Sequence, residues 1–299
     1  MIKRQAEDPG EDIPFETILD YAKRLSYWRR RIFLWKRTSP RPSRFLYKFR
    51  SLDPSNPTSV DRIRDVIVRS RLWLSSPVDF NDPFDMSAKF IVDATAQEKR
   101  KRIREILRRQ GQKWKQIEKE LPRLVSKTDA EMSLIAQTTW QNEVEATGIY
   151  SFGGDPRSIL MWSHYSSNHE GLCLQFERSA DPDAFFHAIP VEYNDNFPVV
   201  NWVTEFSKGL IPAMLRKHVG WRYERENRLV HIRQARKYIP FKPNALKGVI
   251  IGCEAKEGTI EALMGLLKER LSYGYKEPRI YRALKHETRY KLQIWQNPR

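Results

Sequence analysis

Polar and apolar residues alternate in short runs on both sides of a long segment whose apolar residues recur every three to four positions. Alternation is typical of strands, and the longer period is typical of amphipathic helices. The pattern therefore predicts an α+β fold with a central, mostly antiparallel sheet, flanking helices and a helical insertion at about 95–146. The predicted strands cover 45–50, 72–75, 148–152, 171–176, 189–193, 222–232, 246–252, 281–285 and 291–295, and the predicted helices cover 58–69, 158–165, 203–218 and 257–272.

The first 44 residues differ in composition from the rest of the chain. Residues 21–37 are compatible with a helix, and Pro40 and Pro42 follow it. Between residues 21 and 44 there are nine basic residues and no acidic one, with aromatic residues interleaved. We predict a basic N-terminal extension, 1–44, and a single α+β domain, 45–299. The extension is either an arm for nucleic acid or a membrane surface, or a helix that packs its aromatic residues on the domain.

The formal net charge is +16 over 299 residues. A second basic segment, 98–124, carries eleven basic residues against four acidic ones, and together with 21–44 it accounts for the whole surplus. Such an excess predicts an anionic partner: a nucleic acid, a nucleotide or an anionic lipid. The alternative for each segment is a solvated helix face. The rest of the chain, which holds every candidate site residue, is neutral overall.

Several classes of protein are disfavoured by what the sequence lacks. No run approaches the roughly 20 apolar residues of a membrane helix, and the N-terminus does not resemble a secretory signal. With two cysteines and no export signal, the cytoplasm is the expected compartment. Motifs of P-loop enzymes, dinucleotide-binding turns, zinc proteases and serine hydrolases are absent. His164 and His169 are five residues apart, which is not the spacing of a helical zinc pair, so no metal is expected.

Two polar groups in the first half of the chain are candidate ligand contacts. Lys48 and Arg50 share one face of a predicted strand and can clamp a phosphate or carboxylate; the alternative is an exposed basic face. Asn81, Asp82 and Asp85 lie in a loop between and after two phenylalanines. They either build a turn, for which Asn, Asp and Pro are common, or line a pocket.

Two further groups lie in the second half. Trp162, Tyr165 and His169 can form a stacking platform for a base or a nicotinamide ring, or they pack in the core. Glu224, Glu226 and Arg228 share one face of the predicted strand 222–232. Two carboxylates about 7 Å apart along a strand can divide catalytic roles, and the alternative is a surface strand held by ion pairs.

These segments together resemble an uncharacterised, mainly bacterial family, domain of unknown function 2971. The resemblance runs from about Leu46 to Gly252, and one departure is Tyr150, where the family pattern has a cysteine before Ser-Phe. The motifs that carry it are LYKFRSL at 46–52, LWLSSPVDFNDPFD at 72–85, YSF at 150–152, LMWSHYSSNHEGLCLQF at 160–176, VEY at 191–193 and KHVGWRYERENR at 217–228.

The layout is also similar, more distantly, to that of ADP-ribosyltransferases, which implies a split sheet sandwich and NAD as substrate. On this likeness Arg50, Ser151 or Tyr150, and Glu226 correspond to the three site motifs, with Glu224 orienting the acceptor. Lys48 would assist Arg50 at the diphosphate, and Tyr165 or Trp162 would stack on the nicotinamide. The implied function is an ADP-ribosyltransferase-like enzyme or NAD glycohydrolase, acting as a toxin or phage-defence effector.

The alternative to this enzyme is a nucleic-acid-binding protein that docks through residues 21–44 and 98–124. It would be non-catalytic, or a metal-dependent nuclease with Asp82, Asp85, Glu224 and Glu226 as its metal carboxylates.

Overall fold

A computed structural model describes residues 43–296, without the side chains of residues 206–208. Nearly all of the predicted N-terminal extension lies outside the described residues, so its helix stays a prediction. The strands are β1 (Phe45–Arg50), β2 (Arg71–Leu74), β3 (Lys89–Ile91), β4 (Gly148–Phe152), β5 (Leu172–Glu177), β6 (Ile189–Pro190), β7 (Glu192–Tyr193), β8 (Val199–Asn201), β9 (Arg216–Lys217), β10 (Asn227–His231), β11 (Lys237–Pro240), β12 (Leu246–Ile251), β13 (Arg279–Lys285) and β14 (Leu292–Gln296). The α-helices are α1 (Pro57–Ile67), α2 (Ala96–Arg109), α3 (Trp114–Val125), α4 (Asp129–Ala146), α5 (Ile159–Tyr165), α6 (Pro182–Phe185), α7 (Phe206–Met214) and α8 (Glu257–Ser272).

Two sheets position the candidate site. The larger has the strand order β1-β5-β12-β13-β14 and is antiparallel except between β12 and β13. The smaller has the order β4-β10-β6 and is antiparallel. They meet where Tyr47 of β1 and Gly153, just after β4, exchange two backbone hydrogen bonds of 3.2 and 2.7 Å. The prediction of an α+β fold with mostly antiparallel sheets is confirmed.

Alternating side chains of the larger sheet explain why both of its faces are covered. Leu174 and Val249 point into the main core, where Ile67 of α1 and Leu266 of α8 pack on them. On the opposite face, Cys173 and Ile250 are buried in a cluster with Phe49 of β1 and with Met161 and Trp162 of α5. Because Met161 and Trp162 of α5 cover this second face, α5 lies beside β1, with Tyr165 at its end.

Three helices, α2 to α4, fill residues 96–146, as the apolar period predicts. Capping boxes start two of them, with Thr95 and Glu98 at α2 and with Thr128 and Glu131 at α4. Gly111 follows α2 with a φ of +80°, a backbone conformation that glycine adopts readily. The apolar faces of these helices form their own core cluster, which includes Ile103, Ile117, Met132 and Trp140.

Several predicted boundaries shift. α1 begins at Pro57 because Asn56, rather than Thr58 or Ser59, caps it by accepting hydrogen bonds from both of their amides. The predicted strand 189–193 is two short strands, β6 and β7, and the predicted helix 203–218 is the shorter α7. None of the helices within residues 43–296 combines the length and apolar composition that crossing a bilayer requires.

The prediction of one continuous strand over 222–232 is wrong. Residues Val219–Glu224 form a 3₁₀ turn, and β10 begins only at Asn227. Between them Arg225 adopts the left-handed conformation, with φ +45° and ψ +47°. Because Glu224 ends the 3₁₀ turn and Glu226 precedes β10, the two glutamates do not share a strand face. Their carboxylates still approach each other, as described next.

Candidate active site

A cavity of about 390 Å³ lies where β1, β4, β10 and the end of α5 meet. Its position between the two sheets explains why it gathers residues from distant parts of the chain. The charged and polar residues that line it include Lys48, Arg50, Asn81, Asp85, Ser151, Tyr165, Lys217, Glu224 and Glu226.

Behind this lining, the fully buried Arg228 holds two carboxylates. Its Nε donates to Glu226 Oε1 at 2.7 Å, and its Nη2 donates to Glu226 Oε2 at 3.0 Å and to Asp85 Oδ2 at 2.6 Å. Its Nη1 donates to the backbone oxygen of Met214 at 3.0 Å. A bidentate pair of this kind fixes both position and direction. Arg228 of β10 therefore anchors Glu226, the residue just before that strand, and ties it to the loop that carries Asp85.

Lys217 on β9 joins the remaining carboxylate to this cluster. Its ammonium donates to Glu224 Oε2 at 2.7 Å and to Glu226 Oε2 at 3.3 Å, and lies 3.6 Å from Asp85 Oδ2. Sequence reasoning did not single out Lys217, although it opens the family motif KHVGWRYERENR. The signal that could have found it is charge balance, because buried carboxylates require buried cations.

The two glutamates are in different electrostatic states. Burial raises the pKa of the Glu226 carboxyl, but Arg228 and Lys217, helped by a hydrogen bond from Ser151, outweigh it and hold the pKa well below its usual range. Burial also raises the pKa of Glu224, and Lys217 offsets only part of this, so the Glu224 pKa lies above its usual value. Two carboxyl groups with pKa values moved apart can take different roles in one reaction.

Tyr165 connects Glu224 to the cavity. Its hydroxyl donates to Glu224 Oε1 at 2.6 Å and accepts a long hydrogen bond of 3.5 Å from Asn81 Nδ2. Burial and the charge of Glu224 raise the pKa of Tyr165, which keeps its proton on the hydroxyl. Tyr165 thus orients Glu224 at the wall of the cavity.

The opposite wall carries two cations on the same face of β1. Lys48 Nζ donates to the backbone oxygen of Ser151 at 2.7 Å and lies 4.7 Å from the centre of the Tyr150 ring. Burial lowers the pKa of Lys48 well below its usual range, and the charge of Arg50 lowers it further. Within residues 43–296, neither Lys48 nor Arg50 has a carboxylate within 4.0 Å. This wall therefore offers positive charge to an anion.

Eight predicted site residues come together here, with Arg228 behind them. The loop that contains Asp85 both lines the cavity and builds a turn, the two roles predicted for it. Asn81 and Asp85 line the cavity, whereas Asp82 accepts a hydrogen bond from the amide of Phe84 and builds the turn. The residues that the structure brings to the cavity are Lys48, Arg50, Asn81, Asp85, Ser151, Tyr165, Glu224 and Glu226.

Three predicted cofactor contacts lie elsewhere. Tyr150 points into the main core, and Trp162 is fully buried against Phe49 with its indole donating to Pro156 O at 2.8 Å. His169 lines another cavity, where its Nδ1 lies 3.7 Å from Cys253 Sγ. Core packing, the stated alternative, therefore describes Trp162. Among the residues that the structure describes, no three His, Cys, Asp or Glu side chains are arranged to hold a metal ion.

Fold and site define the class: an α+β protein with a buried cluster of ion pairs at the junction of two sheets. Residues 161–229 match the model of the family described as Protein of unknown function (DUF2971). The match begins in α5 and ends in β10, and it includes Tyr165, Lys217 and both glutamates. The match supports the family resemblance drawn from the sequence over residues 161–229. No curated protein and no solved structure matches the chain.

Proposed function

We propose that this cavity binds NAD and cleaves the bond between its nicotinamide and ribose, as an ADP-ribosyltransferase-like enzyme or an NAD glycohydrolase. The supporting observation is that Lys48 and Arg50, two cations with no carboxylate within 4.0 Å among residues 43–296, line one cavity with two carboxylates in different electrostatic states, Glu224 and Glu226. A diphosphate at the cations would bring its attached ribose to the carboxylates. An enzyme that consumes NAD in this way could serve as a toxin or a phage-defence effector.

The residues divide the chemistry between them. As the C1′–N bond breaks, its electron pair leaves with nicotinamide, which departs neutral because the ring of NAD is a cation. Positive charge develops on the ribose, and Glu226, already held as an anion by Arg228 and Lys217, stabilises it without reorganising. Water or an acceptor hydroxyl then bonds to C1′ and gives its proton to Glu224, whose raised pKa suits a general base.

Nicotinamide release tests the catalytic half of the proposal. The protein is incubated with NAD, with and without a cell lysate, and nicotinamide is measured by chromatography. Glu224→Gln keeps the size of the side chain and is expected to lower release by about 10²- to 10⁴-fold. The matched control is Glu192→Gln on β7, an exposed glutamate paired with Arg216. No release by the wild type, or release that Glu224→Gln leaves undiminished, would contradict the proposal.

Ligand affinity tests the other half. ADP-ribose is expected to bind to the wild type and to bind about tenfold or more weakly to Arg50→Met, because the diphosphate loses a charged partner. Lys285→Met, at an exposed lysine on β13, is the control and should bind as the wild type does. If the protein bound ADP-ribose but did not cleave NAD, the proposed ligand site would stand and the proposed enzymatic activity would be contradicted.

A second candidate function, nucleic-acid binding, is favoured by the surface of α2 and α3. Trp114 is 53% exposed, and the guanidinium groups of Arg104 and Arg108 lie 5.6 and 5.4 Å from its ring. Basic side chains around an exposed aromatic ring are typical of surfaces that bind single strands. The exposed basic residues of these two helices and their connection include Arg100, Lys101, Arg108, Arg109, Lys113, Lys115, Lys119 and Arg123.

A salt titration tests this second function. Affinity for a single-stranded oligonucleotide is expected to fall steeply as salt rises, and Trp114→Ala should weaken binding at every salt concentration. Trp295→Ala, at an exposed tryptophan on β14, is the matched control. Binding that is insensitive to salt and unchanged in Trp114→Ala would contradict it.

A further inference from the structure

A second and larger cavity, of about 780 Å³, lies among the helices α2, α4 and α7. It shares no lining residue with the cavity at Glu224. Its walls are aliphatic and aromatic: Ile103, Leu107, Trp140 and Met214 line it and are buried. The volume lies within the range of small-molecule sites, about 300–1,000 Å³. A cavity with these walls favours a ligand with a hydrocarbon part, because moving such a part out of water is favourable.

Charge on the walls of this cavity is unequal. Among the residues that the structure describes, its lining includes four basic ones, Arg102, Arg109, Lys127 and Arg233, and one acidic one, Glu143. Glu143 is already paired with Arg233. Two glutamates outside the lining also lie near its cations, Glu105 at 3.8 Å from Arg102 and Glu131 at 4.0 Å from Lys127. The described lining itself still carries more basic than acidic side chains.

The basic residues are placed at two depths. Arg102 is buried in the wall, with its guanidinium 5.7 Å from the centre of the Trp202 ring. Arg109 is exposed and Lys127 is half-buried, so they mark the opening. An apolar interior with cations at the wall and the opening is complementary to a chain that ends in an anion.

We propose that this cavity binds a single-chain amphiphile with an anionic headgroup, and specifically a free fatty acid. The hydrocarbon chain lies against Ile103, Leu107 and Trp140, and the carboxylate meets the cations of Arg109 and Lys127 at the opening. Charge-assisted hydrogen bonds from these groups select an anionic head over a neutral one. The proposal is independent of NAD, because the two cavities share no residue.

Calorimetric titration with dodecanoate tests the proposal, with dodecanol and a dodecyltrimethylammonium salt as matched ligands. Dodecanoate is expected to bind at least tenfold more tightly than dodecanol, and the cationic amphiphile is expected to bind least. Leu210→Trp, which fills the cavity from α7, should weaken all three. Circular dichroism and thermal unfolding establish that each variant is folded.

Charge reversal locates the headgroup. Arg109→Glu with Lys127→Glu is expected to weaken dodecanoate by about tenfold or more and to leave dodecanol unchanged. The control, Arg100→Glu with Lys119→Glu, makes the same change in net charge at exposed residues of α2 and α3 outside the cavity. Equal affinity for dodecanoate and dodecanol, or equal weakening by the two double variants, would overturn the proposal. So would capture by anionic vesicles with no binding of free dodecanoate, which would indicate a membrane surface instead.

Discussion

The basic helices α2 and α3 and the cavity between the two sheets use charge in opposite ways. On the helices most basic side chains face solvent, and ion pairs such as Arg104 with Glu118, at 2.9 Å, are about one-third exposed. In the cavity, Arg228, Lys217 and Glu226 are buried and satisfy one another. On the helices we expect the total charge to determine the interaction with an anionic partner. In the cavity we expect the position of each charge to determine stability and ligand binding. Substitutions that remove one charge from each region separate these two cases.

The largest expected effect comes from Arg228→Met. This change leaves Glu226 and Asp85 buried without their principal cation, so the free energy of unfolding should fall by about 3–5 kcal/mol. Urea unfolding followed by circular dichroism measures it. Arg233→Met removes an exposed partner of Glu143 and should lower the free energy of unfolding far less, because solvent screens an exposed pair. Similar losses in the two variants would show that burial does not distinguish these pairs.

Lowering the pH should reduce the stability that the buried ion pairs at the cavity contribute. Although burial raises the pKa of Glu226, its cations outweigh burial, so the folded-state pKa lies below the unfolded value of about 4.3. The stability that Glu226 contributes is therefore present above about pH 4.3 and is lost as the pH falls towards the folded-state pKa. The difference in free energy of unfolding between the wild type and Glu226→Gln should be largest near neutral pH and shrink in acid. Parallel curves of the free energy of unfolding against pH for the wild type and Glu226→Gln would contradict this prediction.

Anion binding at β1 should weaken as the pH rises. Burial and Arg50 lower the pKa of Lys48, so the amine loses its proton at a lower pH than an ordinary lysine, and a bound anion favours the protonated form. The dissociation constant of ADP-ribose, measured by calorimetry across the alkaline range, should increase with pH. Lys48→Arg should remove this dependence, because arginine stays charged. A pH dependence that persists in Lys48→Arg would assign it to another group.

The smallest effect is expected on the helices. Glu118→Gln breaks the pair with Arg104, yet both side chains reach water, so the free energy of unfolding should change by less than about 1 kcal/mol. Urea unfolding at low and high salt measures it, and the change should be smaller still at high salt. A loss comparable to that of Arg228→Met would remove the contrast between the regions.

The strands and helices were predictable where one period persists along the chain. The alternation in β1 placed Lys48 and Arg50 on one face, and the repeat over 96–146 predicted helices because each has an apolar stripe to bury. The 3₁₀ turn before β10 was not predictable, because it ends at Arg225, which has a left-handed backbone. Arginine is not one of the residue types that are enriched in that conformation. The alternation of residue types over 222–232 therefore predicted one strand, although the strand begins only at Asn227.

More of the residues of the site than of their side-chain contacts could be predicted from the sequence. The clustering of Glu224, Glu226 and Arg228 indicated a charged site, but the role of Lys217 depends on β9 lying beside the 3₁₀ turn, which no spacing reveals. Trp162 and Tyr165 are three residues apart on one short helix, yet only Tyr165 reaches the cavity. Aromatic composition alone does not separate a core side chain from a binding one.

The seam at Tyr47 and Gly153 has a mechanical consequence. The cations Lys48 and Arg50 belong to one sheet, and Arg228, which holds Glu226, belongs to the other, so the gap that a ligand spans depends on the angle between the sheets. Packing in the main core, which includes Val249 of β12 and Leu266 of α8, contributes to holding that angle. A ligand that touches both sides would act as a brace between the sheets, and a tightly bound one should raise the unfolding temperature of the whole domain.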